Sequence, residues 1–214
     1  MKSALIVWGG WDGHEPQLGA ELAAALLKEA GYHVTVRDTL EAYADQTVMA
    51  AVDLIVPVWT MDVISDAALN GLLAAVRNGA GIAGWHGTMG DSFRDRTDYQ
   101  FMVGGQWVAH PGNTIDYTVN IIDHNDPITA GIADFPMRSE QYYLHVDPSN
   151  HVLATTTFSG VDAPWIAGTV MPVVWKRVYG AGRVFYSSLG HNRQDLDVPQ
   201  VKEILRRGML WASR

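Results

Sequence analysis

The sequence predicts an α/β fold built on a doubly wound, mostly parallel sheet. Short apolar runs alternate with helical patterns along residues 1–100, and this order of strands and helices is typical of a parallel sheet. The apolar runs stop at glycines or polar turns, whereas the second half of the chain contains a hairpin pattern. We therefore expect helices on both faces of the parallel strands and antiparallel additions in the C-terminal half.

The elements of the first half follow from apolar runs and from signals at helix ends. Pro16 begins the first helical pattern and Gly31 follows it, which is where these two residue types are favoured. Ser65 is expected to cap another helix at its start, and Gly79 at its end. Strands are predicted at Ala4–Trp8, Tyr32–Arg37, Asp53–Trp59 and Ile82–Trp85, and helices at Pro16–Ala30, Thr39–Ala51 and Ser65–Asn78.

The second half has a different pattern, in which strands follow one another and a helix closes the chain. Strands are predicted at Ile115–Ile122, Tyr142–His145 and His151–Phe158, a hairpin at Val173–Tyr179 and Arg183–Ser187, and a helix at Val198–Trp211. Gly180, Ala181 and Gly182 form the turn of the hairpin. No repeat, low-complexity tract or linker divides the sequence, so we expect one domain over residues 1–214.

Composition excludes several classes of function. The net charge of −8 argues against nucleic acid and anionic membranes as partners, because phosphate binding requires clustered Lys and Arg. The chain has no cysteine, so cysteine-thiolate catalysis and CxxC metal sites are excluded. The first apolar run is too short for a signal peptide or a membrane span. We expect a cytoplasmic protein with a small-molecule partner; a homodimer is compatible with its size.

The turn Gly84-Trp85-His86-Gly87 is the most informative motif. Parallel sheets bind ligands outside the carboxyl ends of their strands, and this turn follows a predicted strand. Small neighbours around one polar residue are typical of a nucleophile elbow, which presents a single side chain above the sheet. In hydrolases that residue is serine and in amidotransferases it is cysteine. Here it is His86, although an ordinary turn with a buried histidine has the same sequence pattern.

Three further histidines lie near predicted strand ends or in glycine-rich loops. His14 is in the first strand-end loop, His110 follows Gly104-Gly105, and His191 follows Gly190 after a predicted strand. Imidazole titrates near neutral pH and therefore suits both proton transfer and metal binding. We expect these residues to gather around His86. The remaining histidines that lack this context, including His33, His124 and His151, are interpreted as structural or exposed.

Tryptophans at the same strand ends indicate a sugar as the ligand. Trp11 and Trp107 fall in loops, where an aromatic face offers a platform for a sugar ring. Asp91 and Arg94, just after the elbow, are expected to hold sugar hydroxyls, although a surface ion pair is an equally good explanation of Arg94 and of Glu140. The other expected substrate contacts are Asp12, His14, Trp59 and Trp85. Because GxGxxG and GxxxxGK[ST] are absent, we expect no nucleotide or nicotinamide cofactor.

Together, these motifs and several weaker ones resemble the ThuA (trehalose utilisation) family, within the class I glutamine amidotransferase-like superfamily. The resemblance covers nearly the whole chain. It is carried by Gly84–Gly87, Tyr99–Pro111, Asp126–Ile128 with Gly131–Ile132, Ser139–Tyr142, Pro172–Trp175, Gly182–Tyr186 and Leu189–His191.

The resemblance implies a flavodoxin-like core with His86 at the position of the amidotransferase cysteine and His191 at that of the triad histidine. Without the cysteine, amidotransferase chemistry is not implied. Family members tend to accompany oxidoreductases that make 3-keto glycosides, which suggests keto-sugars as the substrate class.

The leading hypothesis is an enzyme that acts on a keto-sugar or keto-disaccharide, as an isomerase or as a lyase or hydrolase. A ketone acidifies its neighbouring C–H bond, so one histidine would remove a proton while a second protonates the enolate oxygen. We expect His86 and His191 to be this pair and His110 to polarise or orient the substrate. Glu140 is expected to fix the tautomer of an imidazole.

Two alternatives remain open at this stage. A divalent metal such as Zn²⁺ is a variant of the enzyme hypothesis, with His86, His110 and His191 as ligands and Glu140 as a further one. The second alternative is a carbohydrate-binding or regulatory module without catalysis, which would bind sugar through its tryptophans.

Overall fold

The computed structural model describes residues 1–214 and contains the predicted parallel strands and helices. In the first half, the elements are β1 (Ser3–Gly10), α1 (Pro16–Glu29), β2 (His33–Arg37), α2 (Gln46–Ala51), β3 (Leu54–Thr60), α3 (Asp66–Arg77), β4 (Gly81–Trp85), α4 (His86–Gly90) and α5 (Thr97–Val103). In the second half, they are β5 (Gly105–Ala109), β6 (Thr114–Ile121), β7 (Phe135–Glu140), β8 (Tyr143–Val146), β9 (His151–Thr157), β10 (Val170–Tyr179), β11 (Gly182–Ser187), α6 (Arg193–Leu196) and α7 (Pro199–Ala212).

The main sheet has nine strands in the order β2-β1-β3-β4-β11-β10-β9-β6-β7. Its first five strands run parallel and have the 2-1-3-4-5 order of the flavodoxin-like fold, with β11 as the fifth strand. The predicted fold class is therefore confirmed, and so is the predicted hairpin, in which β10 pairs antiparallel with β11.

The antiparallel extension brings a second set of strand ends to the ligand-binding edge. The strands β10, β9, β6 and β7 are each antiparallel to the preceding neighbour, starting from β11. As a result, β7 points in the same direction as the parallel core, and its last residue lies at the carboxyl edge of the sheet. A separate two-stranded sheet of β5 and β8 contributes the segments that follow β5 and precede β8.

Helices cover both faces of the sheet because the side chains of the central strands alternate between two buried cores. Ala4 and Ile6 of β1 pack in the core under α1 and α7, whereas Leu5 and Val7 pack under α3 and α5. None of the helices combines the length and apolar character that a membrane span requires.

Some predicted elements needed correction. The helix predicted over Thr39–Ala51 is interrupted, because Asp45 accepts hydrogen bonds from the amides of Thr47 and Val48 and so starts a new helix after a 3₁₀ turn. The predicted cap by Ser65 is present: its hydroxyl accepts a hydrogen bond from the amide of Ala68. The prediction omitted α4, α5, α6, β5 and β7, and several strand boundaries differ by one to three residues.

Candidate functional site

The elbow predicted at His86 is present where β4 ends. His86 has a φ of +42°, a left-handed conformation that costs a non-glycine residue free energy, and α4 begins at the same residue. Gly87 is required next, because a Cβ at this position would lie 2.3 Å from Cε1 of His14. Tyr186 donates a hydrogen bond from its hydroxyl to the carbonyl of His86 at 3.0 Å and fixes the strained turn.

Both ring nitrogens of His86 are held by partners, and the side chain is fully buried. Nδ1 lies 2.8 Å from the carbonyl oxygen of Ser188, and Nε2 lies 3.0 Å from Oε2 of Glu140. A carbonyl only accepts hydrogen bonds, so the proton of the neutral ring must sit on Nδ1. Burial lowers the pKa of His86, although the contact with Glu140 opposes this effect.

Glu140, the last residue of β7, connects three imidazole rings. Its Oε2 lies 3.0 Å from Nε2 of His86 and 3.3 Å from Nδ1 of His191, and its Oε1 lies 3.7 Å from Nε2 of His110. Burial alone would raise the pKa of Glu140, but the contacts with His191 and His86 outweigh burial and hold it well below its usual range. The carboxylate is therefore ionised at neutral pH.

His191 lies in the loop after β11 and keeps part of its side chain, 20%, exposed to solvent. Its main-chain amide donates to Oδ2 of the buried Asp195, which also accepts a hydrogen bond from Ser139. The Nδ1 atom is buried and has no hydrogen-bond partner, despite its proximity to Glu140. The carboxylate of Glu140 raises the pKa of His191.

His14 joins the same cluster from the first loop. Its ring centroid is 4.8 Å from that of His86 and 5.1 Å from that of His191. Nδ1 lies 2.8 Å from the hydroxyl of Thr60 at the end of β3, which leaves Nε2 without a hydrogen bond from the protein. Burial, followed by the neighbouring histidines, lowers the pKa of His14 to about 3. This ring is neutral at physiological pH.

His110 follows β5 and forms the outer part of the cluster. Its side chain is 27% exposed, and the distance of 3.7 Å to Glu140 exceeds a hydrogen bond. The rings of Tyr142 and Trp107 flank it, with centroids 6.1 Å and 5.6 Å away. The guanidinium of Arg94 lies over the ring of Trp107, with Cζ 4.7 Å from the ring centroid.

Three of the predicted substrate contacts, Trp11, Trp59 and Asp12, differ in their exposure and in their distance from the cluster. Trp11 is 47% exposed and meets His14 edge-on at 4.8 Å, so it borders the cluster as a sugar platform would. Trp59 is half-buried against Gly9 and donates to Asp62. Asp12 is exposed in the turn before His14.

Two predicted contacts have other roles in the structure. The ring of Trp85 is 3% exposed and packs against Gly19 and Gly190 in the core, so we assign it to packing. Asp91 is buried, and both of its carboxylate oxygens accept hydrogen bonds from Arg94 at 2.6 Å and 2.7 Å. Asp91 is thus used to hold Arg94. Of the two residues, Arg94 is the one that solvent or a ligand can reach.

Several residues that complete the cluster were not expected to have a role. They are Thr60, Tyr142, Ser188 and Asp195, which contact His14, His86, His86 and His191 respectively. Tyr142 follows Glu140 by two residues at a strand end, and this position is the one signal that the sequence contains. Thr60 acts through its hydroxyl, Ser188 through its carbonyl, and Asp195 through a carboxylate that accepts from the main-chain amide of His191; no residue pattern indicates these contacts.

The family model for ThuA, described as trehalose utilisation, matches residues 3–212 of this chain. The chain belongs to the ThuA family. No functionally curated protein matches it in sequence. The elbow histidine and its neighbours are therefore part of a chain whose family is named for the utilisation of a sugar.

Solved structures share the ThuA fold of this chain at low sequence identity. A ThuA-like protein from Parabacteroides merdae is 17% identical, with a TM-score of 0.81, over 99% of this chain and 89% of that protein. A ThuA-like protein from Bacteroides uniformis is also 17% identical, with a TM-score of 0.81, over 99% and 91% of the two chains. A protein from Salmonella typhimurium described as cytoplasmic is 13% identical, with a TM-score of 0.69, over the full length of both.

In this ThuA-family chain, the cluster offers two kinds of chemistry. The partly exposed His110 and His191 provide imidazoles that a bound molecule can reach, and Glu140 links them electrostatically. The inner atoms of His14, His86, His191 and Glu140 all lie within 4.8 Å of one another, and this grouping is also suited to holding a cation. His110, which was expected as a ligand, lies outside this inner group, whereas His14, expected as a sugar contact, is part of it.

Proposed function

We propose that this chain is an enzyme of carbohydrate metabolism that acts on a keto-sugar or keto-disaccharide of the 3-keto-trehalose type through proton transfer by histidine. The observation that supports it is the arrangement of His86, His110 and His191 around Glu140 at the carboxyl edge of the sheet. A site that only bound a sugar would not require a largely buried carboxylate with three imidazoles around it.

The first step is the removal of a proton from the carbon next to the ketone. His110 is the best-placed base, because it is partly exposed and its ring is not fixed by a hydrogen bond. The two nitrogens of His86 are occupied, so we assign this residue to the positioning of Glu140 rather than to contact with substrate. This assignment revises the acid/base pair expected from the sequence.

Two outcomes follow from the resulting enolate. In an isomerisation, the enolate oxygen is protonated to give an enediol. The neighbouring hydroxyl then loses its proton and the former carbonyl carbon takes one up, so that the carbonyl moves by one carbon. In an elimination, the electron pair of the enolate expels the glycosidic oxygen, which leaves as an alcohol after it takes up a proton; addition of water to the enone then completes hydrolysis. Both routes start from the same proton removal and need no redox partner.

The aromatic side chains around the cluster suit a sugar ring. Trp11 beside His14, and Trp107 with Arg94 beside His110, present aromatic and guanidinium surfaces suited to the C–H face and the hydroxyls of a pyranose. This arrangement supports a carbohydrate substrate in keeping with the family.

The test is proton exchange in deuterated water. The protein is incubated with 3-keto-trehalose and with 3-keto glucosides, and NMR follows both deuterium incorporation next to the ketone and product formation. The variants are His110→Ala and, as a matched control, His151→Ala, which replaces a histidine that is paired with Asp123 on the surface. We expect exchange in the wild type and in the control, and a loss of about 10²-fold or more in His110→Ala.

The same experiment separates the alternative of a module without catalysis. Calorimetry measures binding of each keto-sugar and of its parent sugar. Tight binding without exchange, unaffected by His110→Ala, would establish a carbohydrate-binding module and reject the enzyme. Absence of both binding and exchange for these sugars would reject the proposed substrate class. If exchange occurs, the product separates isomerase from lyase, since an isomer keeps the disaccharide intact.

A further inference from the structure

We propose that the chain binds one divalent transition-metal ion through His14, His86, His191 and Glu140. The binding itself is argued from geometry, whereas its catalytic meaning rests on the proposed function. The ligand set differs from the one expected from the sequence, because it includes His14 and excludes His110.

The distances between the four side chains fit a small cation. One nitrogen or oxygen atom from each lies within 4.8 Å of all the others. Metal bonds of about 2.0–2.1 Å place tetrahedral ligand atoms about 3.4 Å apart. The Nε2 atom of His86 and the Nδ1 atom of His191 lie 3.0 Å and 3.3 Å from Oε2 of Glu140, close to this spacing. Pairs that lie farther apart, up to 4.8 Å, would have to draw together around an ion at the centre.

The contact between His86 and Glu140 requires a positive charge between them. Nδ1 of His86 faces the carbonyl of Ser188, to which it can only donate, so in a ring that carries one proton Nε2 directs a lone pair at Oε2 of Glu140. Two acceptors 3.0 Å apart repel each other unless a proton or a cation lies between them. A metal ion satisfies both lone pairs and also the buried Nδ1 of His191, which has no hydrogen-bond partner.

The surroundings of the rings resemble those of metal-bound histidines. Such a ligand usually forms a hydrogen bond through its second nitrogen, which fixes the ring and its tautomer. His86 uses its second nitrogen to bind the carbonyl of Ser188, and Nδ1 of His14 contacts the hydroxyl of Thr60. Nε2 of His86 faces Glu140, and His14 contributes one ring nitrogen to the group whose atoms lie within 4.8 Å of one another.

The donor atoms indicate which class of ion fits. Three imidazole nitrogens and one carboxylate oxygen suit Zn²⁺ and other first-row divalent ions, whereas Mg²⁺ and Ca²⁺ prefer oxygen ligands. The chain has no cysteine, so thiolate-dependent metals are excluded from this site. When bound, such an ion would polarise a ketone or stabilise an enediolate, and His110 would stay free for proton transfer.

A second group of potential ligands, Asp123, Asp126 and His151, serves as an internal comparison. Asp126 pairs with Lys176, and Asp123 pairs with His151 and accepts hydrogen bonds from two backbone amides. The carboxylates of this second group are already paired with protein groups, so we expect no ion there.

The test measures metal binding directly. Protein treated with a chelator is titrated with Zn²⁺ by calorimetry, and its metal content is measured after dialysis. In a separate sample, Co²⁺ replaces Zn²⁺, because its visible absorption bands become stronger when the ion changes from six water ligands to four protein ligands. We expect one ion per chain. His14→Ala, His191→Ala and Glu140→Gln should each lower affinity by more than about 100-fold, because loss of even an outer-shell partner costs 10–100-fold. His110→Ala and His151→Ala should bind as the wild type does.

Circular dichroism identifies any ligand variant that fails to fold. His14→Gln and Glu140→Gln are included because they keep the side-chain volume and still remove or weaken a donor. A wild-type content far below one ion per chain, or binding that the ligand variants leave unchanged, overturns the inference. Metal loss in His151→Ala alone would place the ion at the comparison group and would also overturn it.

The results of the two experiments are independent. Proton exchange in chelated protein without metal uptake would retain the proposed function and reject the metal site. Stoichiometric metal uptake through the four residues, without exchange of any keto-sugar, would retain the metal site and reject the proposed substrate.

Discussion

The ring of Tyr142 stacks on His86, with a distance of 3.9 Å between the ring centroids and an angle of 28° between the planes. Tyr142 is buried and comes directly before β8, and Glu140 precedes it by two residues. The stack therefore holds the imidazole from one face while Ser188 and Glu140 hold its two nitrogens. His86 is confined in the plane of its ring and perpendicular to it.

The stack predicts different effects of two substitutions at Tyr142. Tyr142→Phe keeps the ring and should retain most of the stability and the exchange activity. Tyr142→Ala leaves a cavity beside His86 and should lower the free energy of unfolding by about 3–5 kcal/mol. For both variants, urea denaturation measures the stability and the rate of deuterium exchange measures the activity. If Tyr142→Phe is as harmful as Tyr142→Ala, the hydroxyl rather than the ring face is important.

The strained backbone at His86 predicts an unusual order of stability. His86→Ala and His86→Gly both remove the imidazole, but glycine adopts a φ of +42° without the cost of about 1–3 kcal/mol that other residues incur. We expect His86→Gly to be more stable than His86→Ala by about 1 kcal/mol, although glycine is normally the poorer residue in a helix. Thermal unfolding of the two variants decides this, and equal stabilities would argue against strain.

Gly87 predicts a way to disturb the cluster without removing a ligand. A Cβ at Gly87 would lie 2.3 Å from Cε1 of His14, so Gly87→Ala must displace this ring. We expect metal affinity to fall by about 10–100-fold, as for loss of an outer-shell contact. Gly31→Ala is the control, because no atom lies within 4 Å of its added Cβ and its positive φ reports strain alone. Unchanged affinity in Gly87→Ala would place His14 outside the ligand set.

Trp11 predicts an effect on substrate affinity. Trp11→Ala should raise KM for a keto-disaccharide by about three- to tenfold with little change in kcat, since a binding platform contributes equally before and during the reaction. Phe101→Ala is the matched control, because this exposed ring packs near Tyr179, which pairs with Gly182 at the start of β11 and thus at the opposite edge of the sheet. A large fall in kcat would instead indicate that Trp11 positions His14.

An ion pair on α7 predicts a pH-dependent contribution to stability. Arg206, followed by Arg207, lowers the pKa of Glu203 from 4.5 to about 2. A carboxylate with a depressed pKa stabilises the folded state above its unfolded pKa, and this contribution is lost as pH falls towards the folded pKa. Glu203→Gln should lower the free energy of unfolding at pH 7 by at most about 1 kcal/mol, because the pair is partly exposed.

The difference between wild type and Glu203→Gln should shrink as the pH falls below 4.5. Chemical denaturation at pH 7 and pH 3 measures it, since most of the contribution is lost only as the pH approaches the folded pKa of about 2. Glu21→Gln on α1 is the control, because its carboxylate contacts only the amide of Gln17 and should contribute little at either pH. A constant difference between the two pH values would show that charge is not the cause.

The parallel half of the fold was predictable because strands buried on both faces and capped helices leave strong local signals. The edge strand β7 was not, since it contains Pro136 and Arg138 and pairs with a single neighbour, β6. Edge strands tolerate proline and charge, which removes the apolar pattern. Without β7 the position of Glu140 was unknown, although the residue itself was expected to fix an imidazole.

The separation of His14 from His110 could not be inferred either. Both follow glycine-rich segments, but His14 is buried in a turn that contacts Thr60 at the end of β3, whereas His110 comes directly after β5 of the small sheet. Which of them reaches the centre depends on the packing of loops, and loop packing is decided by contacts far apart in sequence.

The four inner residues of the cluster come from four chain segments that meet only in the complete fold: the loop after β1, the elbow, the end of β7 and the loop after β11. Anything bound by all four acts as a reversible cross-link between distant parts of the chain. Its occupancy would therefore add to native stability by mass action, in proportion to the logarithm of ligand concentration over Kd. Activity and resistance to unfolding would rise and fall together in this protein.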